Sequence, residues 1–136
     1  MKVLEVTKDS RAIYRGGMCD AMAIALHDLT KLPLGAWKGS YIDDDDEEQY
    51  EFCHVCIVLS FQNQEWVDVD GIHSERANCH FTFPVDKIEL VPISRQDAAG
   101  LFTMEGVSTE DVQTAKAFIA SDPRLSWLIG TLTFQA

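Results

Sequence analysis

The chain has 136 residues, enough for one domain that buries its own core without covalent staples. Hydrophobic residues make up 46% and charged residues 24%, ordinary globular usage that argues against disorder, and no run approaches the ~18 apolar residues of a membrane span. With 22 acids against 11 bases the net charge is −11, which disfavours nonspecific binding to nucleic acid or an anionic membrane and permits a basic partner.

Lys2 to Thr7 alternates well enough for a short strand. Glu5 and Lys8 interrupt any apolar signal core after Met1, so no secretory signal is visible and the expected location is cytoplasmic. Four cysteines, at 19, 53, 56 and 79, are accordingly expected as free thiols. Arg15-Gly16-Gly17 breaks the pattern, and Met18 to Leu29 reads as a helix. Its apolar stripe is Cys19, Met22, Ala23, Leu26 and Leu29, and Ala21, Ile24 and Ala25 make the other faces apolar too. Such a helix is expected at the centre of the molecule, covered on more than one side.

Lys31 to Gly35 reads as a turn, followed by the acidic segment Asp43 to Glu48. Its six charges account for part of the net −11, and −11 less these six leaves −5. Adjacent acids repel one another, so the segment is expected as a solvated loop or a docking site for a basic partner. A calcium loop fails the required pattern of spaced ligands, a bend glycine and a terminal Glu.

Tyr50 to Phe61 is the strongest strand and nearly continuous in apolar residues, which predicts cover on both faces. Gln62-Asn63-Gln64 is a turn, and Glu65 to Asp70 returns as the second strand of a hairpin ended by Gly71. Lys87 to Ile93 reads as a further strand and Ser94 to Leu101 as a short helix. Ser108 opens a helix with a capping-box-like pattern that runs to about Ala120, where Ser121-Asp122-Pro123 stops it. Arg124 to Gln135 is ambiguous between helix and strand. The expected class is α+β, with a mostly antiparallel sheet and helical decoration in the C-terminal half of a single domain, residues 1–136.

Three features form a chemical constellation: Cys19, His54 and the acids that end the next strand. Cys19 opens the central helix, where the helix terminus and a nearby imidazolium favour a thiolate. Asp20 works against that unless it points away. His54 shares a strand face with Cys56, opposite Cys53, Val55 and Ile57. Asp68 and Asp70 share a face with Trp66 on the returning strand. A hairpin closing at 62–64 brings position 54 near 68–70, where a carboxylate can fix the imidazole tautomer. That supplies nucleophile, base and orienting group together.

Gly17-Met18-Cys19, His54-Val55-Cys56-Ile57-Val58-Leu59 and Trp66-Val67-Asp68-Val69-Asp70-Gly71 together resemble the core of the papain-like cysteine peptidase and amidase superfamily, with the NlpC-type compact hydrolases nearest in shape. The resemblance covers roughly residues 14–75, by pattern. It implies a Cys-bearing helix packed on an antiparallel sheet, with Cys19 as nucleophile, His54 as base and Asp68 as orienting residue. It also implies a thiol hydrolase or acyl-transfer activity on amide or ester bonds, with no cofactor and no metal. The substrate would be a peptide or protein amide. Many family members carry a histidine or asparagine where Asp68 stands. No glutamine precedes Cys19, so its own backbone N–H is the oxyanion donor on offer, with Tyr14 or Arg15 as helpers.

Plainer readings compete. Cys19 can serve as a small buried hydrophobe, His54 as a core histidine bonded to a carbonyl, and Asp68 and Asp70 as turn formers before Gly71. Cys53 and Cys56 are expected as sheet packing, Trp66 as a sheet-face residue, and His73 and His80 as solvated. Zinc on Cys53 and Cys56 with Cys79, His80 or His73 meets the objection that residues 53 and 56 of a regular strand face opposite ways. At the level of function, the alternative to the hydrolase is a catalytically inactive acidic interaction protein or inhibitor that binds a basic surface through Asp43 to Glu48.

Overall fold

A computed structural model of the chain describes residues 8–15, 18–102 and 105–135. The expected strand Lys2–Thr7 and the glycine pair Gly16-Gly17 lie outside the described residues. Among those described, the elements in order are α1 (Lys8–Arg15), α2 (Cys19–Thr30), β1 (Leu34–Ile42), β2 (Glu48–Ser60), β3 (Glu65–Asp68), β4 (Gly71–His73), β5 (Lys87–Pro92), α3 (Arg95–Gly100), α4 (Thr109–Ser121) and α5 (Pro123–Gln135). The class is α+β. The five strands form one antiparallel sheet in the order β4-β3-β2-β1-β5. No helix among the described residues is long and apolar enough to cross a membrane.

Helix α2 sits where its composition requires. Ala21, Met22, Ala23, Ile24, Ala25 and Leu26 are all buried. They pack against Val55, Ile57 and Val67 of the sheet on one side and Val112, Ala115 and Phe118 of α4 within the same core. Lys31 ends the helix in the left-handed conformation (φ 64°), its N–H donating to His27 O. Arg95 and Lys116 both pair with Asp28, tying α3 and α4 to α2.

The second sheet face carries Trp37, Cys56, Val58, Trp66 and Leu90. Its cover is the segment 74–86 between β4 and β5. Ala77 and Cys79 pack on this cluster, Phe83 meets Tyr41 edge-on at 4.8 Å, and Thr82 bonds the Glu51 carboxylate. The apolar continuity of β2 is therefore explained by two different covers, helices on one face and an irregular strap on the other.

Strand β1 begins within the expected turn, at Leu34 and Gly35, and continues through residues 36–42, to which the sequence pattern assigns no element. Gly35 and Gly39 stand on one face because neighbours cross them closely. A Cβ at Gly35 would collide with Val58 Cγ2, and one at Gly39 would lie 2.6 Å from the Phe81 ring. The tip joining β1 to β2 is the acidic segment. Asp43 holds it, accepting from the Asp45 and Glu47 N–H groups through Oδ1 and from Gln49 Nε2 through Oδ2.

Ser108 and Asp111 form a reciprocal capping box on α4. Asp122-Pro123, expected only as a stop, also starts α5. Asp122 Oδ1 accepts from Arg124 N and Leu125 N, and proline at the first helical position needs no N–H partner. That resolves the ambiguous C-terminal segment as helix.

Two expectations about cysteine are corrected. Cys53 and Cys79 are joined in a disulfide, and only Cys19 and Cys56 are free and buried. Cys53 also does not share the face of Val55 and Ile57. The β1–β2 register pairs Trp37 with His54 and then Lys38 with Phe52, leaving Cys53 as the extra residue of a bulge, packed with the Trp37 cluster. Disulfides persist in oxidising surroundings, so the cytoplasmic expectation loses the free-thiol argument attached to it. The bond also takes Cys53 and Cys79 out of the zinc set.

Candidate active site

Cys19 is the first residue of α2, where the backbone N–H has no partner within the helix. Its side chain is almost fully buried, with 3% exposure, and the thiol is near enough to His54 to help raise the pKa of the imidazole. His54 lies opposite Trp37 on β2. Its Nε2 is 3.0 Å from Asp68 Oδ2 at the end of β3. With Nε2 committed to the carboxylate, Nδ1 is the ring nitrogen left for the thiol. The structure thus brings together Cys19, His54 and Asp68, the three residues singled out from the sequence.

Burial alone would push the His54 imidazole down. Hydrogen bonds from the ring to Asp68 and Cys19, with their charges, outweigh it, and the pKa is pushed up to about 9. Burial likewise works against the Asp68 anion, but bonds from His54 and His73 hold the carboxyl below its usual range. Cys56, on the same strand, is pushed far up by burial and stays a thiol. Asp20, adjacent to the nucleophile, is buried. Its Oδ1 accepts from Ala21 N, and its Oδ2 has no partner among the described residues. Burial, helped by the charge of Asp111, raises its pKa, which favours the neutral acid and weakens its opposition to a thiolate next door.

The question of which aspartate serves His54 has a geometric answer. Asp70 is bound by Arg15 instead, with Nε at 2.7 Å and a terminal nitrogen at 2.6 Å from its two oxygens. Of the two suggested oxyanion helpers, Arg15 lines the cleft, while Tyr14 packs its ring on Phe118 at 5.1 Å and is buried in the core.

His73 corrects another expectation. It is not a solvated loop residue but belongs to β4, where it pairs in register with Trp66. Its Nε2 lies 2.7 Å from Asp68 Oδ1, and its ring stacks on Trp66 at 4.1 Å and 20°. Trp66 also meets His54 edge-on at 5.5 Å and donates its indole N–H to Glu75 O. No run of apolar residues marks β4, so only the Gly71 turn hinted that the chain reverses there. His80 is exposed, as expected.

A cleft of about 720 Å³ opens over His54, Asp68 and His73, walled by Arg76, Ala77 and Asn78 of the strap and by Arg15. Among the described residues no group of three or more His, Cys, Asp or Glu side chains is placed to hold a metal ion.

No family model, no curated protein and no solved structure matches the chain.

Proposed function

We propose that the protein is a thiol hydrolase or acyl-transfer enzyme of papain-like design, acting on amide bonds through Cys19, His54 and Asp68. The observations that carry this reading are the His54–Asp68 bond at 3.0 Å and the influence of Cys19, the first residue of a buried helix, on the same imidazole. The bond to Asp68 favours the protonated imidazole, the form that would stand beside a thiolate.

In this mechanism the Cys19 sulfur attacks the carbonyl carbon, forming a C–S bond and a tetrahedral oxyanion. The Cys19 N–H is the available oxyanion donor. His54 gives its proton to the leaving nitrogen as the C–N bond breaks, and a thioester remains. His54 then takes a proton from water as the water oxygen bonds to the thioester carbon, the C–S bond breaks, the acid leaves, and the Cys19 thiolate is left beside protonated His54. Asp68 keeps the imidazole in one tautomer throughout. The substrate class is a peptide, an isopeptide, a cell-wall amide or a glutamine side chain. The test is turnover of an acyl-probe panel by wild type, Cys19→Ala and His54→Ala. Both variants are expected to fold and to be inactive, and full activity in either would sink the mechanism.

A second reading has its own support. Asp44, Asp45, Asp46, Glu47 and Glu48 are all exposed on a tip that Asp43 stiffens. A non-catalytic protein would use that tip to bind a basic surface, with affinity falling steeply as salt rises. Binding indifferent to salt would count against it.

A further inference from the structure

We propose that His73 is a positioning residue of the site, fixing the Asp68 carboxylate so that its second oxygen is held for His54. The inference rests on the triad reading and extends it to a fourth side chain.

A carboxylate at the end of a strand can rotate about its own bond, and an aspartate with one partner holds an imidazole loosely. Asp68 does not have that freedom. Its Oδ1 accepts from Asp70 N at 2.9 Å and from His73 Nε2 at 2.7 Å, while its Oδ2 takes His54 Nε2 at 3.0 Å. Two donors on one oxygen fix the carboxylate plane and leave the other oxygen for one task.

His73 is itself held. Its ring lies flat on Trp66, and the two residues are register partners across β3 and β4. Trp66 cannot swing away, because its N–H is tied to Glu75 O and its edge meets Trp37 at 5.9 Å. The three residues of β4 thus have a chemical use, placing one N–H against Asp68. Because Nε2 donates there, the tautomer of His73 is fixed by the same bond that fixes the carboxylate. His73 touches no reacting atom in this arrangement, so its effect passes through Asp68 to His54.

Two substitutions separate the ring from the bond. His73→Phe keeps a flat ring over Trp66 and removes the donor. His73→Gln loses the ring and keeps an N–H at a similar reach. Each is compared with wild type and His54→Ala by two readouts. One is the iodoacetamide labelling rate of Cys19 at pH 6. The other is the ¹⁵N-edited resonance of the His54 Nε2 proton bonded to Asp68.

The expected result is that His73→Phe loses or broadens the His54 resonance and slows Cys19 labelling about tenfold. His73→Gln keeps the resonance and recovers most of the rate. A folded His73→Phe with both readouts unchanged overturns the proposal, as does a folded His73→Gln in which both are lost. If Cys19 of the wild type labels no faster than Cys56, the triad reading fails, yet the His54 resonance still judges the role of His73. If His73→Phe does not fold, His73→Gln alone decides by the same criteria.

Discussion

His54 and Asp68 are separated by fourteen positions in the chain and by 3.0 Å between Nε2 and Oδ2. The β2–β3 register accounts for this. Ile57 faces Val67, and continuing that pairing sets Cys56 opposite Asp68 and His54 one diagonal step away. The hairpin turn and the register shift between Val58 and Ser60 together decide that a carboxylate reaches the imidazole.

Asp68→Ala removes the acceptor and leaves His54 as buried as before. Burial then acts unopposed by Asp68, so the imidazole pKa should fall from about 9 by at least one unit. An NMR titration of His54 reads this directly. A value that stays near 9 would mean that Asp68 does not hold the ring.

The same group makes stability depend on pH, with a definite sign. His54 has its pKa raised from 6.5 to about 9 in the folded chain. Below pH 6.5 both folded and unfolded chains carry the proton, and the contribution is complete. Between 6.5 and about 9 the unfolded chain releases it first, and stability declines as pH rises. Above that range the contribution is gone. Its size is on the order of 3 kcal/mol at most. Asp68, with its pKa lowered from 3.8, acts at the other end, its contribution being lost only as pH falls through that region. Urea midpoints of wild type and His54→Gln should differ more at pH 6 than at pH 10, and an equal difference at both would contradict the assignment.

The Cys53–Cys79 bond closes a loop with a sequence separation of 26. Chain-entropy arguments give about 3.5 kcal/mol for a loop of that length. Cys79→Ser should lower stability by an amount of this order in urea melts under non-reducing conditions, and dithiothreitol should do the same to wild type. Melts insensitive to both would show that the strap is held by Phe81, Phe83 and Thr82 without the disulfide.

Gly35→Ala probes strand β1. The new methyl would collide with buried Val58, and the sheet interior leaves little room to relax. A loss of about 1–3 kcal/mol is expected. An unchanged melting temperature would show that Val58 can move aside.

Much of this arrangement was legible in the sequence. The apolar run from Ala21 to Leu26 announced a central helix, and the β2–β3 hairpin set His54 beside Asp68. What escaped depends on contacts distant in the chain. Gly35 and Gly39 hide β1, whose first residues read as a turn and whose remainder shows no pattern, because the purpose of both glycines lies in Val58 and Phe81. The bulge at Cys53 needs the β1 register to be seen, and without it the cysteine is assigned to the wrong face. His73 gains its role from pairing with Trp66, in a strand too short to show a pattern. Asp44 to Glu48 are exposed, as their charge requires, while the β-turn closed by Asp43 depends on hydrogen bonds that composition does not reveal.

The most direct test of the account is the iodoacetamide labelling rate of Cys19 against pH, read by peptide mass spectrometry beside Cys56, in wild type and His54→Ala. The account predicts that Cys19 of the wild type labels rapidly at pH 6, that Cys56 does not, and that His54→Ala slows Cys19 by tenfold or more while the fold persists. Equal and slow labelling of Cys19 and Cys56, unchanged by loss of His54, would show that Cys19 is only a core residue and would contradict the proposed chemistry.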